Sequence, residues 1–259
     1  LQDKKINISK KLLRTVGKTN YNFKLIGESD KVLVGLSGGK DSLSLVHILN
    51  HIQRHTPFKF TFEACTISYG MPGENYDLLH NHCLEHGIKH TIYETNIFEI
   101  SNDTIRENSS FCSYFSRMRR GALYTFAEQS GFTKIALGHH FDDAVESFFM
   151  NMFYNGSIRS LAPIYKTNRG VHLIRPLILA RESQLRAFAD DNNLQTIGDE
   201  ACPAMMKNVK MPHAREATKE WLKEMESKQK NLFKMIQASF SHIHDDTLLD
   251  PTRWVRDDV

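Results

Sequence analysis

The chain predicts an α/β protein, a doubly wound and mostly parallel sheet with helical segments added at its two ends. Three observations predict it. Short apolar runs alternate with helix-spaced patterns along most of the chain. A glycine turn, Ser37-Gly38-Gly39-Lys40-Asp41-Ser42, follows the first run and opens a helix. A second polar junction, Leu137-Gly138-His139-His140-Phe141-Asp142-Asp143, follows a later run and opens another. In doubly wound sheets ligands sit beyond the carboxyl ends of the strands, which is where both junctions fall.

Taken in order, Ile8, Leu12, Leu13, Val16 and Phe23 recur at helical spacing and predict a helix within 7–28, with Gly17 as a weak point. Val32–Leu36 is a strand and Asp41–Gln53 a helix, after which Phe60–Ser68 is a strand closed by Gly70 and the Pro72-Gly73 turn. Tyr76–His86 is a helix, His90–Glu94 a short strand, and Ser113–Gln129 a helix closed at Gly131. Lys134–Leu137 is a buried strand, Asp142–Tyr154 a helix, His172–Ile174 a strand and Glu182–Asp191 a helix. From Ala214 to Ile243 the pattern is helical, with Trp221, Leu222, Met225, Leu232, Phe233 and Ile236 on its apolar side. The expected division is a helical segment 1–28, a nucleotide-binding domain 29–200 and a helical extension 201–259.

Composition narrows the class. With 41% apolar and 24% charged residues the chain has an ordinary globular make-up. No apolar run reaches the roughly 18 residues that span a bilayer, and the start lacks the apolar stretch of a secretory signal. The expectation is a cytoplasmic protein with no membrane partner. A net charge of +3 does not by itself announce nucleic acid. Local clusters say more: Lys4, Lys5, Lys10, Lys11, Arg14 and Lys18 near the start, and Arg117, Arg119 and Arg120 further on, would attract phosphate backbones, although a solvated helix face explains the first cluster equally well. Cys65, Cys83, Cys112 and Cys202 are scattered without zinc-ribbon or C-x-x-C spacing.

The glycine turn carries the chemistry. Strand, turn and helix place a row of N–H groups and a helix N-terminus at one point, where phosphate binds. Lys40 adds charge, and Ser37 and Ser42 add hydroxyls. The turn is not a Walker A loop, because Val34 and Asp41 stand where that pattern needs Gly and Ser or Thr. An acidic residue beside phosphates suits magnesium and cleavage between the α and β phosphates. At the second junction Asp142 and Asp143 could hold magnesium through oxygen, or one of them could simply cap the helix. His139 and His140 could contact phosphate or orient a carboxylate.

The hexapeptide resembles the PP-loop of the ATP pyrophosphatase superfamily, whose nucleotide domain is of the adenine nucleotide alpha hydrolase-like type. Further strings extend the likeness: Cys112-Ser113 with Ser116-Arg117-Met118-Arg119-Arg120-Gly121, Lys134 through Asp143, Asn151-Met152-Phe153-Tyr154, Ile174-Arg175-Pro176-Leu177 with Arg181-Glu182, and Ser241-His242 with Asp245 and Leu248. Over nearly its whole length the chain resembles the tRNA 2-thiocytidine biosynthesis (TtcA-like) family. The resemblance implies ATP and magnesium at the loop, with Ser37, Gly38, Gly39, Lys40, Asp41, Ser42, Ile67, Gly138 and His139 binding ATP. Asp41, Asp142 and Asp143 would serve the metal. A cytidine carbonyl oxygen would attack the α phosphate, and sulfur would then displace AMP. Asp41, Cys112 and Cys202 are the catalytic candidates, and Arg117, Arg119 and Arg120 would meet phosphate of ATP or tRNA. A cysteine desulfurase as sulfur donor and a homodimer are further implications.

Two departures touch the chemistry. The family holds a [4Fe-4S] cluster on paired cysteines, and Cys112 and Cys202 are candidate ligands, but Phe115 and Asp199 stand at the partner positions. Two thiolates are fewer than the three or four a cluster normally uses, so a persulfide relay or transient disulfide between Cys112 and Cys202 is a second route. Ser68 stands where the family carries an acidic residue. Two other functions stay open on the residues alone: a PP-loop ligase that adenylates another RNA base or a small molecule without sulfur transfer, and a nucleotide- or RNA-binding protein without catalysis.

Overall fold

In the computed structural model, residues 6–104, 111–197, 213–250 and 252 are described. Six strands form one sheet in the order β3-β2-β1-β4-β6-β5. They are β1 Lys31–Gly35, β2 Thr61–Ile67, β3 His90–Tyr93, β4 Lys134–Ala136, β5 Ile164–Lys166 and β6 His172–Ile174. All neighbours pair parallel except β5 with β6. The chain winds outward from β1 through β2 to β3, then returns to build β4 on β1's other side. That reversal opens a crevice beyond the carboxyl ends of β1 and β4.

Alternation along β1 explains the layers. Val32 and Val34 face one way and pack with Leu12 and Val16 of α1 (Lys10–Phe23), with Leu45 and Leu49 of α2 (Lys40–His55), and with Leu185 and Phe188 of α7 (Glu182–Asp191). Leu33 faces the other way, joining Cys65, Ile67 and Ile135 beneath Tyr114, Phe115, Leu123 and Ala127 of α5 (Phe111–Gln129). All three β1 residues are fully buried, so each stabilises the sheet by about 1.5–3 kcal/mol. A period of two is therefore buried on both faces, as a central parallel strand requires.

The expected N-terminal helix is shorter at both ends. Ser9 Oγ caps it by accepting from Leu12 N at 3.3 Å. Lys24 turns left-handed at φ 50°, and the Asn20 amide brackets Ile26 N and O at 2.8 and 3.0 Å. Gly17 does not interrupt it. The remaining α-helices among the described residues are α3 (Asp77–Glu85), α4 (Ile97–Thr104), α6 (Phe141–Asn155), α8 (His213–Lys228) and α9 (Leu232–Ser239). Helix α4 and strand β5 have no counterpart among the expected elements. Strand β5 is three residues long after Pro163, and its pairing partner, not its own pattern, makes it a strand.

The expected helix from Ala214 to Ile243 is two helices. Leu222 of α8 and Phe233 and Ile236 of α9 share one cluster with Phe141 and Val145 of α6. A straight helix would carry Ile236 about 20 Å beyond Leu222, so the chain breaks near Asn231 and folds both onto α6. Among the described residues no helix is long and apolar enough to cross a membrane.

Candidate nucleotide and phosphate site

Gly35 ends β1, and the loop to α2 passes under the end of β4. Gly38 has φ +84°, which favours glycine. A Cβ there would stand 2.9 Å from Ile197 Cβ, on a segment anchored by Ile197 N donating to Gly38 O at 3.0 Å. Gly138 is needed for close approach, since a Cβ would lie 3.1 Å from the Asp41 carbonyl carbon and the Ser42 nitrogen. The two polar junctions therefore touch. The loop is tied internally: Ser42 Oγ accepts from Ser37 N at 3.1 Å and donates to Gly39 O at 2.9 Å. Gly39 is the N-cap of α2 without a side-chain cap, and free amides at a helix start suit an anion.

Beyond the loop lies a cleft of about 340 Å³. It brings together the expected residues Ser37, Asp41, Ser42, Ile67, Arg119, Arg120, Gly138, His139 and Asp143. Lys40 points aside, held by Asp41 and Glu182 at 3.1 Å each. Burial opposes ionisation of Glu182, yet the hydrogen bond and charge of Lys40, with Lys219 and His140 behind them, hold its carboxyl at about 2. Arg117 is exposed and sits over the Tyr114 ring at 6.0 Å, outside the cleft wall. Asp41 Oδ1 is buried and has no hydrogen-bond partner.

The second junction divides its acids. His140, not an aspartate, is the N-cap of α6: its Nδ1 accepts from Asp143 N at 3.4 Å, and Asp143 Oδ2 accepts from His140 N at 3.0 Å. Asp142 turns away to start α7, accepting from Glu182 N at 2.8 Å and from Arg181 Nη2 at 3.1 Å. His140 Nε2 approaches Asp41 Oδ2 at 3.8 Å. Burial drives His139 down to about 4, with Arg175 adding and Asp143 opposing, so it is neutral at physiological pH. Its Nδ1 is buried without a partner.

Among further wall residues, Arg175 belongs to the string that the family resemblance places near the cleft, whereas Arg215 carries no signal in the sequence. Arg175 is 5% exposed and reaches the cleft from the end of β6. Arg215 arrives from α8 and binds Asp143 Oδ1 at 2.9 Å and Glu146 Oε2 at 3.2 Å. Four guanidinium groups, from Arg119, Arg120, Arg175 and Arg215, thus border one cleft with two carboxylates, an excess that suits a polyanion. Cys65 borders it too, but burial and Glu63 push its thiol up to about 12, which keeps it protonated. Glu74 sends a carboxylate to the end of β2, accepting from Ser68 Oγ at 2.8 Å and Tyr69 N at 3.0 Å. An acidic group therefore sits at that strand end although position 68 is serine.

Cys112 lies in α5, and nothing is described of its side chain; Cys202 and Asp199 lie outside the described residues. Phe115 is described. Its ring is 3% exposed and packs edge-on against Tyr69 and Tyr114, with centroids 5.8 and 5.5 Å away. The position is a core aromatic and offers no ligand atom.

Fold and loop together define a nucleotide-handling α/β protein built on a PP-loop, and the PP-loop domain family matches residues 6–208. The tRNA-cytidine(32) 2-sulfurtransferase of Pseudomonas fluorescens is 36% identical over 97% of this chain and 92% of its own length. That of Geobacter metallireducens is 36% identical over 93% of each. The chain belongs to this PP-loop family of tRNA-cytidine 2-sulfurtransferases. A solved U34-tRNA thiolase, NcsA from Methanococcus maripaludis with its [4Fe-4S] cluster, shares the fold at a TM-score of 0.68 and 22% identity, over 90% of this chain and 79% of that one.

Proposed function

We infer that the protein thiolates a cytidine of tRNA at the expense of ATP. The observation that carries the reading is the single cleft lined by the glycine loop, by Asp41 and by four arginines. ATP lies with its outer phosphates on the amides of Gly38 to Ser42 and its base against the end of β2 near Ile67. Lys40 exchanges Glu182 for phosphate. Asp41 and Asp143 offer oxygens that suit magnesium, which would shield the phosphate charge. Asp142 acts through Arg181 to place α7.

The cytidine carbonyl oxygen attacks the α phosphorus, the bond to the bridging oxygen breaks, and pyrophosphate leaves. His139 and Arg175 face the same cleft and are placed to steady the charge that develops. Sulfur then attacks the activated carbon, and AMP departs with the original oxygen. The residues at 112, 115, 199 and 202 do not make a standard cluster site, since Phe115 and Asp199 supply no thiolate. The sulfur step is therefore assigned to the cysteines. A persulfide, delivered by a donor of the cysteine desulfurase class, sits on Cys112 or Cys202 and its terminal sulfur attacks. The other thiolate breaks the S–S bond, leaving thiocytidine and a disulfide that a thiol reductant reopens.

The test is ATP–pyrophosphate exchange with and without tRNA, followed by mass analysis of tRNA nucleosides. Exchange stimulated by tRNA and a thiocytidine that disappears on gene deletion are expected. Cys112→Ala retains exchange and loses thiolation. Unchanged thionucleosides after deletion would overturn the assignment.

A further inference from the structure

Away from the cleft, three histidines converge between α2 and α3. His47 lies on α2, and His82 and His86 stand at i and i+4 on α3 and its C-cap, on one helix face. One ring nitrogen from each lies within 4.8 Å of the other two. His47 Nε2 and His82 Nε2 are 2.7 Å apart. The His47 ring stands at 87° to His82 and 90° to His86, T-shaped rather than stacked. His47 is 3% and His86 6% exposed, while His82 is half-buried and opens the group to solvent.

The donors have the right character for a borderline metal. His47 Nε2 and His82 Nε2 share one hydrogen bond, which an ion would replace. Cys83 on the same helix is fully buried and packs in the core. A tetrahedral ion with metal–nitrogen bonds of about 2.0–2.1 Å sets its ligand nitrogens about 3.4 Å apart. One separation here is 2.7 Å and none exceeds 4.8 Å, so side-chain adjustment would bring the three nitrogens to that spacing. Imidazole nitrogens suit zinc and its neighbours, not magnesium or calcium.

We propose that His47, His82 and His86 form a three-imidazole site for a zinc-class divalent ion, with the fourth position taken by water on the His82 side. The ion would clamp α3 to α2, the helix whose first turn carries Lys40 and Asp41. Asn50 Nδ2, which donates to His86 O at 3.2 Å, already ties the same two helices.

The experiment titrates the full, reduced, chelator-treated chain with Co²⁺ and follows with Zn²⁺. The wild type takes up one Co²⁺ with visible d–d absorption and without the near-ultraviolet band that a thiolate ligand produces. Zn²⁺ displaces it and raises Tm. His82→Ala keeps its circular dichroism and ATP binding but loses both the absorption and the Tm rise. His82→Asn, which keeps a polar side chain, behaves the same way and guards against a misfolded alanine variant. A Cys112→Ala, Cys202→Ala double variant still binds. Failure of the wild type to bind Co²⁺, unchanged bands in either folded His82 variant, or bands lost with the cysteines would overturn the proposal.

Discussion

Gly38→Ala tests the cradle most directly. The new Cβ would meet Ile197 Cβ at 2.9 Å and its Cγ1 at 3.2 Å, at a residue with φ +84°. The left-handed backbone costs an L residue about 1–2 kcal/mol, and forced packing adds about 1–3 kcal/mol. If the loop relaxes by moving, the strain appears as lost phosphate binding, so about 2 kcal/mol or more weakens ATP affinity by about 30-fold or more. Gly73→Ala is the control. It has φ +79° and nothing within 4 Å of the added carbon, so it shifts Tm by a few degrees and leaves nucleotide binding alone. Calorimetric titration with ATP and thermal melts on both variants read the two effects apart. A folded Gly38→Ala chain that binds ATP within about threefold of the wild type would refute the placement of the triphosphate.

Other outcomes follow from single contacts. Arg181 binds Asp142 and Glu226 and stacks on Phe233 with its guanidinium carbon 3.6 Å from the ring centroid. Arg181→Met leaves the nearly buried Asp142 carboxylate without its cation and lowers stability in urea melts by about 3 kcal/mol. Replacing Arg119 and Arg120 together with alanine weakens tRNA binding and flattens its log–log salt slope by about two, read by filter binding across salt; an unchanged slope removes them from the RNA path. Burial lowers His90 and His139 to about 4 and His47 to about 3. The unfolded chain therefore binds more protons below about pH 6.5, and stability falls as pH drops from there toward 4. His90→Gln removes up to about 1.4 kcal/mol per pH unit from that slope. Equal slopes in urea titrations of the two proteins would show that His90 is not buried neutral.

Much of the site was legible because it is local. The sequence Ser37 to Ser42 specifies its own turn: a glycine at positive φ, a second glycine as helix cap, and a serine that bonds back across it. Gly138 to Asp143 specifies a second junction in the same way. The roles inside it were less legible. Either aspartate could cap a helix on paper, yet His140 does so, because Arg181 draws Asp142 to the start of α7. Lys40 looked free to meet phosphate, but Glu182 from a distant helix holds it.

Periodicity and turn chemistry settled the order of strands and helices, since side-chain spacing and backbone preference act within a few residues of where they are written. Strand β5, the break between α8 and α9, and the approach of Arg215 to the cleft were decided only by packing. Each depends on a partner remote in the chain, and no local pattern encodes the distance to it. The three histidines make the same point: sequence shows two on α3 and one on α2, but only the crossing of those helices brings their nitrogens within 4.8 Å.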